Sequence, residues 1–355
     1  MSEKQAVVVA GYYGFGNLGD EAIRDALVGE LTRSELVTPI FLVAAPRRAN
    51  EVKRSSPIRV FAALRGASAI LFGGGGLLQN RTSNRSLYYY LSLILLAHLS
   101  RHPIFLLGQG IGPIRGMLAR GATHYALSKA VYIGCRDQRS LDLLERIGLK
   151  GVLDGDLFFL FPPTTQLPTP APNEPPRIVL SLKDPGTATR LELIEQSVEL
   201  IDRVHEDTSA MFIFLPFFPA EDLPLAEKIT RRLSFPCQIT SPDSVEEASE
   251  VIASAALLIS SRLHPLEFAL RLGTPMLAIA DAPKVKQFVK EVRSVDGPQI
   301  PCTSFPSQDE VLLLLNFPPQ RDPFQAAYRR LHERTTEAFS SFLSKLETVL
   351  GEKDG

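Results

Sequence analysis

Short apolar runs alternate with stretches of helical periodicity along most of the chain, and this alternation constrains the fold more than any other feature. In the first half the runs are Ala6–Ala10, Ile40–Ala44, Ala67–Phe72, Pro103–Leu107 and Val131–Cys135, with helical patterns such as Asp20–Arg33 and Ser86–Arg101 between them. Runs so short and so uniformly apolar predict strands buried on both faces. Strands separated by helix-length segments predict parallel sheets built from β-α-β units. The composition then changes. Residues 162–176, PPTTQLPTPAPNEPP, hold seven prolines and almost no large apolar side chain, which predicts an extended, semi-rigid linker. A second series follows at Ile178–Leu182, Ala210–Leu215, Cys237–Thr240, Ala255–Ile259 and Pro275–Ala280. A last helical stretch, Pro323–Leu350, comes after the breaker NFPPQRDP. The expected fold is therefore α/β, with two Rossmann-like lobes facing across a cleft. Residues 1–161 form the N-terminal lobe, 162–176 the linker, 177–320 the C-terminal lobe and 321–355 a C-terminal helix.

With 355 residues there is room for two sizeable cores. The formal charge of −1 predicts no global attraction to nucleic acid. Cys135, Cys237 and Cys302 are far apart, make no metal-ligand spacing, and read as reduced thiols of a cytoplasmic protein. The N-terminus enters a strand-like run after five residues and lacks the pattern of a signal peptide. The longest apolar stretch, Leu87–Leu99, is too short to span a bilayer and reads as a buried helix.

Ligands of open α/β sheets bind beyond the carboxyl ends of the strands, and the informative residues follow the predicted strands. GYYGFGNLGDE, residues 11–21, places Gly14, Gly16 and Gly19 in the pattern G-x-G-x-x-G, with Asn17 and Asp20 among them. Asp20 suits a helix cap, and a carboxylate there would repel a pyrophosphate. The next predicted strand ends in Arg47 and Arg48 rather than in an acid for a ribose, so a 2′-phosphorylated dinucleotide is the form this pattern would accept. LFGGGGLLQN, residues 71–80, offers the backbone around Gly75, then Gln79 and Asn80, for contact with an anion or a sugar. Gln109 sits between glycines after another strand, and Arg136 falls at the end of the strand before CRDQRSLDLL. Arg136 suits a carboxylate or phosphate, or an ion pair with Asp137. Finally, SSRLHPLEF, residues 260–268, places Arg262 and His264 two residues apart, on one side if the strand persists, with Pro265 in the first turn of a helix. An anion site and a surface arginine beside a capping histidine are both compatible with that stretch.

In order, GYYGFGNLGDEAI, GGGGLLQN, GQGIGP, CRDQRSLDLL, SRLHPLEFALRLGTP and the DAPK at 281–284 resemble the polysaccharide pyruvyl transferases, most closely the bacterial CsaB type. The resemblance runs from about residue 5 to residue 290. It implies a GT-B-like fold and transfer of the pyruvyl group of phosphoenolpyruvate to a sugar as a cyclic ketal. It implies as acceptor a β-linked N-acetylmannosamine of a lipid-carried cell-wall glycan precursor, pyruvylated across O4 and O6, whose polymer anchors S-layer proteins. It assigns the donor to Arg136, Arg262, His264 and Lys284, and the N-terminal glycine turn to Gly14, Asn17 and Asp20. Two positions depart from the pattern. Asn80 stands where the family usually has Asp, and Lys183 where a second-lobe strand often ends in Arg. His264 is the expected general acid and Asp20 the candidate base. Gly75, Gln79, Asn80 and Gln109 are further candidate substrate contacts. No metal or other cofactor is expected, since fixed protein cations suit a donor carrying a carboxylate and a phosphate.

Three other readings remain open from sequence: a GT-B glycosyltransferase using a nucleotide sugar, an NADP-binding oxidoreductase based on Gly14, Gly16, Gly19 and Arg47, and a glycan binder without turnover. A lipid-linked acceptor would bring the protein to the inner face of the membrane, through the cations of Arg47–Arg54 or the apolar segment near Leu87. The sequence leaves the acceptor identity, the ketal stereochemistry and the oligomeric state open.

Overall fold

The computed structural model describes residues 4–81, 84–164, 174–186 and 188–352; residues 165–173 of the proline-rich segment lie outside them. The chain divides into two compact units, Met1–Phe15 with Asp20–Phe161 and His332–Gly355, and Gly16–Gly19 with Pro162–Leu331.

The first unit holds a parallel seven-stranded sheet. Its strands are β1 (Gln5–Tyr13), β2 (Val37–Val43), β3 (Glu51–Lys53), β4 (Ala69–Leu78), β5 (Ile104–Ile111), β6 (Tyr132–Cys135) and β7 (Val152–Leu153), in the spatial order 3-2-1-4-5-6-7. Its helices are α1 (Leu18–Ser34), α2 (Pro57–Arg65), α3 (Asn84–Leu99), α4 (Met117–Leu127) and α5 (Gln138–Arg146). The connections leave β1 in one direction toward β2 and β3, then step the other way through β4, β5, β6 and β7. Right-handed crossovers therefore put α2, α3, α4 and α5 on one face, where Val60, Leu64, Leu87, Ile94, Ala126 and Leu144 share one core. Every residue of β5 is buried, as both-face burial in a parallel sheet requires.

The second unit repeats the plan with a six-stranded parallel sheet. Its strands are β8 (Arg177–Ser181), β9 (Met211–Phe214), β10 (Gln238–Ile239), β11 (Leu257–Ser260), β12 (Met276–Ile279) and β13 (Cys302–Thr303), in the order 10-9-8-11-12-13. Its helices are α6 (Arg190–Thr208), α7 (Pro219–Thr230), α8 (Val245–Ala253), α9 (Leu263–Leu272), α10 (Pro283–Ser294) and α11 (Gln308–Asn316). The last helix, α12 (Arg321–Gly351), starts in the second unit and ends in the first. In the first unit its Phe342 packs against Phe105 and Tyr132, with ring centroids 5.7 Å apart in each pair.

Two features differ from the sequence expectation. The strands β3, β7 and β13 are only two or three residues long, too short to leave an apolar run. The N-terminal glycines Gly14 and Gly16 do form a turn between β1 and α1, but the glycine runs at 73–76 and 108–110 do not form turns after strands. They lie within β4 and β5, where Gly74, Gly75 and Gly108 take φ of 72°, 77° and 53° and the register slips between Gly75 and Leu78 and between Leu106 and Gln109. These are bulges, which only a residue without Cβ enters freely. The segment Leu87–Leu99 lies in α3 and is the buried helix expected, with Leu87, Leu91 and Ile94 in the core, so these side chains offer no membrane surface. Among the described residues no helix is long and apolar enough to cross a membrane. All three cysteines are free.

Candidate functional site

In the second unit the strand order reverses between β8 and β11, which pair from Leu257 with Ile178 to Ser260 with Ser181. Crossovers diverge there, so their loops leave room at the carboxyl ends of these two strands. Ser260 closes that end. Its hydroxyl donates to the Ser181 carbonyl at 3.0 Å and accepts from the Arg262 N–H at 3.0 Å. The Lys183 N–H donates to the Ser261 hydroxyl at 2.8 Å. A cavity of about 260 Å³ opens beside them, lined by Lys183, Glu192, Ser261, Asp281 and Phe305 among others.

β11 stops at Ser260, and α9 begins at once. Arg262 is its N-cap, extended at φ −99° and ψ 143°, and His264 is the second helical residue. The pair is thus brought together by a strand-to-helix turn, not by alternation along a strand. Pro265 does occupy the first turn, where no amide hydrogen is needed. The Arg262 guanidinium is buried. Its Nη2 pairs with Asp222 and, at 3.0 Å, with Glu221, both from the first turn of α7. Its Nε is buried without a hydrogen-bond partner among the described residues. Burial holds the Asp222 carboxyl above its ordinary range, an effect the Arg262 charge only partly offsets.

His264 is also buried, with Nε2 3.9 Å from Oε2 of the buried Glu267 one turn along α9. Gly16–Gly19 belong to this unit, and Gly19 lies against the imidazole so closely that a Cβ there would overlap Nδ1. The segment is fixed by the Leu18 N–H, which donates to the Phe217 carbonyl at 3.0 Å, and by Asn17, whose Oδ1 accepts from the Gly19 N–H at 3.2 Å. Lys284 is half-buried in the first turn of α10, which follows the neighbouring strand β12.

The first unit has its own switch point between β1 and β4, paired from Val7 with Ala69 to Ala10 with Phe72. Tyr13 ends β1 and its hydroxyl donates to the Gly73 carbonyl. The Gly14 N–H donates to Glu21 Oε1 at 2.5 Å, and burial raises the Glu21 carboxyl. Asp20, buried at the start of α1, faces the bulge of β4, and a Cβ on Gly75 would stand 3.1 Å from its Oδ1. Asp20, Gly14 and Gly75 are therefore one group around the β1–β4 junction.

The other first-unit candidates are engaged in structure. Gln109 is fully buried, and its Nε2 donates to the carbonyls of Phe72, Leu107 and Gly74 at 2.9, 3.1 and 3.3 Å. Gln79 Oε1 accepts from the Arg81 N–H at 2.7 Å. Asn80 Oδ1 accepts from the Arg115 N–H at 2.7 Å, while its Nδ2 donates to Asn84 Oδ1 and the Arg115 carbonyl, both at 2.8 Å. Asn80 thus ties the loops after β4 and β5 together.

Arg136 leaves the end of β6 and lies over Gly110, where an added Cβ would come within 2.9 Å of Nη2. Its Nε is 3.4 Å from Asp137 Oδ2 and 3.6 Å from Asp156 Oδ2. Asp137 is also the N-cap of α5, accepting from the Ser140 N–H at 2.8 Å.

Residues 17–283 match the family model for polysaccharide pyruvyl transferase, about three quarters of the chain. The chain belongs to the polysaccharide pyruvyl transferase family. No curated protein sequence matches it. Among solved structures, a protein assigned as a UDP-N-acetylglucosamine 2-epimerase from Listeria monocytogenes aligns over 97% of this chain and 98% of its own, with a TM-score of 0.64 and 13% identity. The S. aureus MnaA–UDP structure aligns over 96% and 97%, with a TM-score of 0.57 and 13% identity. UDP-GlcNAc 2-epimerase from Neisseria meningitidis, bound to UDP-GlcNAc, aligns over 94% and 99%, with a TM-score of 0.53 and 12% identity. At such identity the likeness is one of fold: two parallel-sheet α/β lobes of the GT-B-like kind with a C-terminal helix.

Within this pyruvyl transferase the sequence reading missed the buried carboxylates behind the cations. Asp156 stands beside Arg136, Asp222 beside Arg262 together with the exposed Glu221, and Glu267 beside His264. It also missed Asp154, which accepts from the Tyr132 hydroxyl at 2.6 Å and the Gly108 N–H at 3.1 Å. Burial pushes that carboxyl up to about 6. The available signal was the pair of short acidic stretches DGD at 154–156 and AED at 220–222, each just after a strand.

Proposed function

We propose that this family member moves the pyruvyl group of phosphoenolpyruvate onto a sugar as a 4,6-ketal and releases phosphate. In the manner of the CsaB type, the acceptor is a β-N-acetylmannosamine on a lipid-carried cell-wall glycan precursor, made at the cytoplasmic face and later used to anchor S-layer proteins. The observation that carries the reading is the start of α9, where Arg262 and His264 are held at a helix N-terminus by buried carboxylates. Such a terminus attracts an anion through its N–H groups and dipole.

The donor needs cations for its carboxylate and phosphate. Arg262 and Lys284 supply them in the second lobe, and Arg136 is a further guanidinium suited to a planar anion. His264 gives a proton to C3 of the enol, leaving C2 cationic. A sugar hydroxyl attacks C2 as its proton passes to a base, for which Asp20 is the candidate. The C2–O bond to phosphate then breaks, phosphate leaves with the electron pair and takes up a proton, and the second hydroxyl closes the ring and gives up its own. Glu267 keeps the imidazole oriented.

The test is phosphate release from phosphoenolpyruvate with a synthetic lipid-linked N-acetylmannosaminyl-N-acetylglucosamine, for wild type and His264→Ala. The expected result is acceptor-dependent release with a mass gain of one pyruvyl ketal, reduced about 10²–10⁴-fold in the variant. Turnover unaffected by His264→Ala would remove the acid from this scheme. No turnover with any sugar acceptor by the folded protein would remove the scheme itself.

A further inference from the structure

The face of the first lobe built from α2, α3 and α4 carries an unusual charge. Between Ala44 and Lys129 the sequence has twelve Lys and Arg but a single acid, Glu51, in a chain whose formal charge is −1. The remainder therefore carries a net excess of acids. Glu51 is already engaged, accepting from the Arg47 and Arg48 N–H groups at 2.6 and 3.1 Å and standing 3.6 Å from Arg24.

Topology gathers nine of these cations, all but Arg65, Arg101 and Lys129, which lie at or past the C-terminal ends of the helices. α2, α3 and α4 lie on the same sheet face and share one core. All three begin at the carboxyl edge of the sheet, because each follows a parallel strand. Two contacts join their starts. The Arg54 guanidinium, just before α2, lies 4.3 Å from the Tyr89 ring centroid and donates to the Tyr90 hydroxyl at 3.0 Å, both on α3. Asn80, before α3, holds the Arg115 backbone before α4.

Large apolar side chains stand out among these cations. Ile58 and Phe61 in α2 are 83% and 45% exposed, Tyr88 in α3 is 44%, and Met117 and Leu118 in α4 are 88% and 87%. All lie within the first two turns of their helices. Arg59, Arg85, Arg115 and Arg120 are interspersed with them and exposed. Aliphatic tips beside flexible cations are what a lipid–water interface selects. The tips enter the acyl boundary while the cations stay among the headgroups. A nucleic acid would draw on the charge but has no use for exposed Ile, Met and Leu.

We propose that this α2–α3–α4 edge docks on an anionic lipid bilayer. The inference rests on charge and exposure, not on the pyruvyl-transfer scheme, and its test involves no turnover. The full-length protein is co-sedimented with vesicles of phosphatidylcholine alone and with vesicles in which a third of the lipid is phosphatidylglycerol. Binding is expected only to the anionic vesicles, falling as salt rises. Two double variants, Met117→Ser with Leu118→Ser and Arg59→Glu with Arg115→Glu, should each weaken it by roughly tenfold or more. A control, Leu191→Ser with Phe317→Ser, alters exposed apolar residues of the second lobe and should leave binding unchanged. Circular dichroism checks that each variant is folded. Equal binding to neutral vesicles, or binding indifferent to both face variants, overturns the proposal. So does retention by single-stranded RNA or self-association through this face without vesicle binding.

Discussion

A guanidinium buried between two carboxylates is no longer a free cation. Arg262 meets Asp222 and Glu221 through Nη2, so its charge is more than matched locally, and its contribution to an anion site is one of direction. Removing one partner of such a pair costs about 3–5 kcal/mol, because the other charge is left buried and alone. Arg262→Ala should therefore lower the stability of the second lobe by about that amount as well as activity, with urea unfolding reporting the first and phosphate release the second. Gly19 gives a cleaner probe of the acid. Its φ is not in the left-handed region, so alanine is tolerated by the backbone, yet its Cβ would overlap the His264 ring. Gly19→Ala should keep the fold by circular dichroism and lower kcat toward the level of His264→Ala. A Gly19→Ala protein with unchanged kcat would show that the imidazole position is not critical. Gly110→Ala acts on a long side chain instead. Arg136 can swing away from the new methyl, so a rise in KM for the donor is expected with little change in melting temperature.

At the scale of elements, the strands were legible because parallel strands buried on both faces must be apolar throughout. The start of α9 was legible because Pro265 marks a first turn. The glycine turn between β1 and α1 was legible, but the runs in β4 and β5 were located and misread as turns, since a bulge and a turn demand the same residue, and only pairing distinguishes them. The carboxylates were not legible. Asp222 meets Arg262 across forty positions and Asp156 meets Arg136 across twenty, pairings set by strand order and not by any local period. Asp154 shows the consequence. It is held between β5 and β6 by Gly108 and Tyr132, and burial raises its carboxyl to about 6. A folded-state value above the ordinary ~3.9 means the native state binds the proton more tightly than the unfolded chain. That contribution is fully present below about 3.9 and is lost as pH rises through about 6, by about 3 kcal/mol in all. Asn in its place can accept from Gly108 and donate to the Tyr132 oxygen without a charge. The stability difference, Asp154→Asn minus wild type, should thus grow in favour of the variant from pH 4 to pH 7 (roughly the titration window), as read from urea midpoints. A difference flat with pH would place the Asp154 carboxyl in the ordinary range.

At the scale of the whole molecule, the chain does not finish where its second lobe does. α12 begins at Arg321 within the second unit, and from His332 onward it belongs to the first. There it supplies Phe339, Phe342, Leu346 and Leu350, all buried, and Phe342 covers Phe105 and Tyr132 of the central strands. Thr335 comes close to Gly155, and His332 Nδ1 is 2.7 Å from the Phe159 carbonyl, so the helix also braces the segment that carries Asp154 and Asp156. Four large side chains of this kind contribute about 6–12 kcal/mol of burial, a substantial part of the 5–15 kcal/mol that typically stabilises a domain. Truncation after Leu331 leaves the second unit with all its own strands and helices through α11 but strips one face of the first sheet. Hydrogen exchange of the truncated protein should show protection persisting in β8, β11 and β12 and collapsing in β1, β4 and β5. Uniform loss across both sheets would mean that the two lobes unfold as a single cooperative unit, and uniform retention would mean that α12 only decorates a first lobe already stable without it.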